Sequence, residues 1–157
     1  MSSGNSYLLG WDGVIHIWDV TNSSLVGGTK ETEIKTGLVP CLDVSYVNDT
    51  VTTGTFNNRA KSYDLRSYDR SKPYEQYSHH KKPVLAVHVP KHHDEYLISA
   101  SEDGSVALID RRAKKVLSRV HLSKGFPLCM DMMNEDNCLY VSKLELHCLE
   151  KMGIYVF

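Results

Sequence analysis

Three segments of this 157-residue chain end alike: Val14-Ile15-His16-Ile17-Trp18-Asp19, Ala60-Lys61-Ser62-Tyr63-Asp64 and Val106-Ala107-Leu108-Ile109-Asp110. The closing aspartates recur at intervals of 45 and 46 residues, the length of a repeat built from four short strands. Seven residues before each aspartate stands a turn signal, Asp12-Gly13, Asn57-Asn58 or Asp103-Gly104. Such dipeptides tolerate the positive φ that a two-residue hairpin loop demands. A β-prone run precedes every turn: Tyr7-Leu8-Leu9, Val51-Thr52-Thr53 and Tyr96-Leu97-Ile98-Ser99. Hairpins at constant spacing restrict the chain to an all-β repeat architecture.

The strand after each turn is apolar on both faces, as in Val14, Ile15 and Ile17 or Val106, Ala107, Leu108 and Ile109. A sheet with one wet face would alternate instead. Both faces are buried when twisted four-stranded antiparallel sheets stand side by side around an axis, each between two neighbours, as the blades of a β-propeller do. A plain two-sheet sandwich gives no reason for the constant spacing.

At these positions the residues resemble the WD repeat, on the strength of Trp18-Asp19, of Ser99-Ala100-Ser101-Glu102-Asp103-Gly104, and of His80 ahead of Pro83-Val84-Leu85-Ala86-Val87. The resemblance implies WD-repeat β-propeller blades of four antiparallel strands: a partial blade at 1–36, a second at 37–78, a third at 79–122 and a partial fourth at 123–157. It also implies a polar network in each blade. The turn Asp accepts a hydrogen bond from a histidine ahead of the first strand, and a second-strand hydroxyl links that histidine to a third-strand Trp, so that buried polar groups satisfy one another. In the third blade the matching residues are Asp103, His80 and Ser99 or Ser101, and the network stops at Ile109, which has no N–H or O–H. The second blade has Tyr63 in the Trp position and Asn57 in the Asp position, without the histidine. The first has Asp12 and Trp18, and Asp19, Asp64 and Asp110 close the third strands. With repeats this degenerate, packing is expected to supply most of the stability.

This spacing gives about three and a half blades, whereas rings close with about four to eight. An incomplete ring is therefore expected, belonging to a longer protein and prone to associate through its uncovered blade faces. Residues Lys143 to Met152, rich in helix formers, stand where a short turn of the fourth blade belongs and read as a turn about ten residues long.

Composition narrows the function. Eighteen basic against 19 acidic residues leave a net charge of -1, without the basic stripe that nucleic acid or an anionic membrane requires. The short charge run Asp110 to Lys115 reads as a solvated loop. No apolar stretch is long enough to span a membrane, and the first residues lack the pattern of a signal peptide. A cytoplasmic or nuclear protein with reduced cysteines is expected, since Cys41, Cys129, Cys138 and Cys148 show no CxxC spacing. The eight histidines include adjacent pairs, which point to opposite faces of a strand and cannot share a metal in the usual way. Without a nucleophile elbow or a phosphate-cradling glycine loop, neither an enzyme nor a bound cofactor is expected.

What remains is binding of protein partners. In WD propellers the residue before the turn Asp projects onto the face that partners use, and the matching positions are Trp11, Phe56 and Glu102. Among WD proteins the chain resembles the F-box/WD-repeat family, through Tyr77-Ser78-His79-His80-Lys81-Lys82-Pro83-Val84-Leu85-Ala86-Val87 and Asp110-Arg111-Arg112-Ala113. Members of that family are substrate receptors of cullin-type ubiquitin ligases, whose F-box binds the adaptor and whose propeller binds the target. The resemblance implies a ubiquitin-ligase substrate as partner, with the F-box adaptor contact absent from this chain. The arginines with which several members read phosphorylated motifs are replaced by Leu42, Leu85 and Cys129, which puts phosphate recognition in doubt. The alternative is an assembly scaffold without a ubiquitin link.

Overall fold

A computed structural model of the chain describes residues 5–9, 12–19, 29–35, 41–69, 71–122, 125–133, 138–145 and 148–155. Their regular structure is all β-strand, arranged in four antiparallel sheets that follow one another in sequence. The first sheet holds β1 (Asn5–Leu9), β2 (Val14–Asp19) and β3 (Thr29–Lys35), and the second β4 (Cys41–Val47), β5 (Thr50–Thr55), β6 (Ala60–Asp64) and β7 (Glu75–Tyr77). The third is formed by β8 (Val84–His88), β9 (Tyr96–Ser101), β10 (Ser105–Asp110) and β11 (Lys115–His121), and the fourth by β12 (Phe126–Met133), β13 (Cys138–Glu145) and β14 (Cys148–Tyr155). Within every sheet, neighbours in sequence are neighbours in space, as in the blades of a propeller. The turns after β5 and β9 and the one before β2 contain left-handed residues, Asn58 at φ 69°, Gly104 at 79° and Gly13 at 75°, the conformation that Asn and Gly adopt at least cost.

The apolar faces meet between sheets. Ile15 and Ile17 of β2 and Ile34 of β3 pack with Val51 and Tyr63 of the second sheet. Val47, Ala60 and Tyr77 of the second sheet pack with Val84, Val87, Leu97, Ala107 and Ile109 of the third. The other face of the third sheet, with Ala86, Ile98, Ala100 and Val106, reaches Met130 of β12. In β10, therefore, Ala107 and Ile109 face one neighbour while Val106 faces the other, which is why that strand is apolar throughout. Each fully buried aliphatic side chain contributes about 1.5–3 kcal/mol.

Hydrogen bonds and one close backbone approach interlock the second and third sheets as well. Val89 donates its N–H to Ser45 Oγ at 3.0 Å, and Asn48 Nδ2 donates to Asp94 Oδ2 at 2.9 Å. Gly54 in β5 lies so close to β8 that a Cβ there would come within 2.5 Å of the Val84 carbonyl oxygen. Gly54→Ala is expected to force the two strands apart and to lower stability by about 1–2 kcal/mol, measurable by urea denaturation. Wild-type stability in that variant would mean that the sheets are not in contact there.

One expectation is corrected by the fourth sheet. The segment read as a long turn is paired: β13 continues to Glu145 and β14 starts at Cys148, with Lys143 opposite Glu150 and Leu144 opposite Leu149. Only positions 146–147 lie between the strands. Cross-strand pairing decides the conformation here, over a helix propensity of a few tenths of a kcal/mol per residue.

Candidate functional site

The polar network of the third sheet starts from His80, buried in the loop between β7 and β8. Its Nδ1 lies 3.2 Å from Asp103 Oδ2, and its Nε2 lies 2.9 Å from Ser99 Oγ. A carboxylate only accepts, so Nδ1 carries the proton, and in the neutral ring Nε2 accepts from the Ser99 hydroxyl. Burial favours that neutral ring by pushing the His80 pKa below its usual value, an effect that Asp103 opposes only in part. Asp103 Oδ2 also accepts the N–H of Lys81 at 3.0 Å, while Oδ1 accepts the Ser105 N–H at 3.0 Å and the Ser105 hydroxyl at 2.6 Å. Burial alone would raise the Asp103 carboxyl, but the Ser105 hydroxyl, the two N–H groups and the His80 ring outweigh it and hold the group at about 2. Asp103 thus joins the turn after β9 to the loop ahead of β8.

Ser101 braces the same turn. Its hydroxyl donates to the Lys82 carbonyl at 3.0 Å and accepts the Asp103 N–H at 3.1 Å. Ile109 takes no part and lies in the apolar core. Ser105 was not among the residues expected in the network. The available signal was a hydroxyl two residues after the turn Asp, opening a strand that is otherwise apolar.

The recurring carboxylates have defined places. Asp12 Oδ1 accepts the Val14 N–H at 3.0 Å, as Asp103 does with Ser105. Asp110 Oδ1 accepts the Ala113 N–H at 2.9 Å, and Asp64 accepts from the backbone and guanidinium of Arg66. Asp64 and Asp110 therefore cap the turn that leaves the third strand of their sheets. Tyr63 is fully buried against β2 and β3. Trp18 and Asp19 stand in β2, opposite Lys30 and Thr29.

A candidate partner face is formed at the end of the sheets where β5 turns into β6 and β9 into β10. Phe56 opens the first of these turns with 54% of its surface exposed. The turn beneath it is fixed: Thr55 N–H donates to the Arg59 carbonyl at 3.0 Å, the Thr55 hydroxyl lies 2.6 Å from Asn57 Oδ1 and from that carbonyl, and Asn58 Nδ2 donates to the Lys81 carbonyl at 3.0 Å. That last bond ties the turn of the second sheet to the loop entering the third. Glu102 is half-buried, 3.7 Å from Lys82 Nζ. Trp11 lies outside the described residues, so of the three expected positions the structure brings Phe56 and Glu102 to this end.

Arg111 was missed. The run from Asp110 to Lys115 reads as solvated, but Arg111 is only 9% exposed while its four successors are largely open to solvent. Its Nη1 donates to the Asp94 carbonyl at 2.7 Å, and its Nη2 donates to the Tyr74 hydroxyl and lies 3.3 Å from Glu75 Oε2. The guanidinium so clamps β7 of the second sheet to the third. Among the described residues no group of three His, Cys, Asp or Glu side chains is placed to hold a metal ion, and no helix is long and apolar enough to cross a membrane.

Residues 71–110 match the family described as WD domain, G-beta repeat. With the four serial antiparallel sheets, this match gives the chain WD-type propeller blades, a kind of domain that mediates contacts between proteins. Among individual proteins it is similar to F-box/WD repeat-containing protein 9 of Homo sapiens, with 35% identity over 121 residues, and to the Bos taurus protein of the same name, with 33% over 120. Each alignment takes in 76% of this chain, and the chain spans 24% of the length of these relatives.

Proposed function

We propose that the chain acts as a non-catalytic platform for a protein partner, within the substrate-recognition propeller of a cullin-type ubiquitin ligase F-box subunit. The observation that carries the reading is Phe56, a half-exposed aromatic ring on a turn held by hydrogen bonds on both sides. A rigid aromatic side chain supplies contact area at small entropic cost, and such residues anchor many interfaces. Trp11 holds the same place before Asp12 that Phe56 holds before Asn57, and both are assigned to the partner face with Glu102. The ubiquitin link is supported by the name of the two relatives.

Phe56→Ala is expected to reduce recovery of a co-purifying partner about tenfold while leaving stability within about 0.5 kcal/mol, as for an ordinary surface change. Affinity purification followed by thermal melting of the same variant checks both. Equal loss of binding and stability would make Phe56 a core residue. A recovered partner that carries ubiquitin and accumulates under proteasome inhibition supports the ligase reading, and one whose turnover is independent of ubiquitin supports an assembly scaffold.

A further inference from the structure

Resting on that reading of the Phe56 face, we propose that the segment docking there is acidic: an apolar side chain set against Phe56, flanked by carboxylates. Exposed cations stand on the turn that carries Phe56, at Arg59, and on the loop that Asn58 ties to it, at Lys81 and Lys82. The carboxylates on the neighbouring turn between β9 and β10 are Glu102 and Asp103. Glu102 offsets Lys82 across 3.7 Å, an exposed pair that contributes little and opens readily to a competing carboxylate. Asp103 is turned inward, where His80, Lys81 N–H and Ser105 occupy it. Among the side chains the structure describes, no carboxylate forms an ion pair with Arg59 or Lys81.

This local surplus of positive charge belongs to a chain whose net charge is -1, so it is a feature of the face and not of the whole molecule. It is also fixed in space. The Asn58 bond to the Lys81 carbonyl holds the turn bearing Phe56 and Arg59 against the loop bearing the two lysines, so an incoming segment meets the ring and the cations as one preorganised surface. Opposite charge on the segment would speed encounter and exclude basic competitors. The arginine positions that some family members use for phosphate are not involved: Arg59 follows the turn, and the lysines precede the first strand of the third sheet.

The test is selection of random 12-residue peptides displayed on phage (about one loop's length) against the immobilised chain, with Phe56→Ala as counter-target. Peptides lost on Phe56→Ala should carry more Asp and Glu than Lys and Arg, with at least one large apolar residue. A synthetic copy of the strongest should bind about tenfold more weakly to Lys81→Glu/Lys82→Glu, and severalfold more weakly when NaCl rises from about 50 to about 300 mM. Arg59→Gln, on the other turn, should weaken the same peptide even if the double variant folds poorly. Phe56-dependent peptides that are neutral or basic, or that ignore both charge changes, would overturn the acidic assignment and leave the platform reading intact. Peptides indifferent to Phe56, or no enrichment at all, would overturn both.

Discussion

Arg111→Ala is expected to lower the free energy of unfolding by about 3 kcal/mol, the cost of removing one partner from a buried charge pair. The substitution leaves the Tyr74 hydroxyl, the Asp94 carbonyl and the mostly buried Glu75 carboxylate without the donor they share. Glu75 would keep the Tyr77 hydroxyl as its donor, which keeps the loss nearer the lower end of the range. Arg111→Lys should recover less than half of it, because one ammonium cannot reach Asp94 on one side and Tyr74 with Glu75 on the other as the planar guanidinium does. The damage should be greatest at β7, which is three residues long and paired along one edge. Urea denaturation measures the global loss, and hydrogen exchange should show the Glu75–Tyr77 amides opening first. Unchanged stability with unchanged exchange at β7 would mean that the clamp carries no weight.

Asp103→Ala should cost on the order of 1–3 kcal/mol, because it strands the Lys81 and Ser105 N–H groups and the His80 ring; His80→Ala should be similar. The network also sets a pH dependence. Asp103 titrates at about 2 in the folded chain against about 3.9 when unfolded, so its contribution is complete above about pH 4 and is lost as the pH falls toward 2. His80 is depressed below its ordinary value by burial. The unfolded state therefore takes up that proton first, and stability declines as the pH drops below about 6.5. Melting temperatures measured from pH 7 down to pH 2 should fall through both windows. Asp103→Asn should flatten the lower one, and Asp103→Ala within about 0.5 kcal/mol of wild type at pH 7 would rule the network out as a source of stability.

Particular residues show how far the sequence speaks for the structure. The spacing of Asp19, Asp64 and Asp110 is enough to infer serial four-stranded units, because each turn and each following strand obeys a local rule that needs no tertiary knowledge. The two-sided burial of β10 is legible for the same reason: Val106 and Ala107 are both apolar and cannot share a face. His80, Ser99 and Asp103 can be matched to a known pattern, whereas Ser105 and Arg111 cannot. A serine beside a turn is common, and an arginine within a run of charges gives no sign that a neighbouring sheet will cover it. Gly54 is equally silent, since only the approach of Val84 shows why a side chain is excluded. Between Lys143 and Met152 local propensity points the wrong way, and pairing between β13 and β14, a long-range effect, prevails.

The claim that the turns around Phe56 form the working face is tested most directly by photo-crosslinking in cells. The photoreactive residue p-benzoylphenylalanine is placed at position 56 and, in a second preparation, at position 68, where the fully exposed Tyr68 lies in the loop at the opposite end of β6. Both sites are exposed, so neither substitution should disturb the core. Crosslinks to a partner from position 56, absent from position 68 and reduced by Lys81→Glu/Lys82→Glu, are the result expected. Crosslinks from position 68 alone would contradict the assignment and move the partner to the other end of the blades.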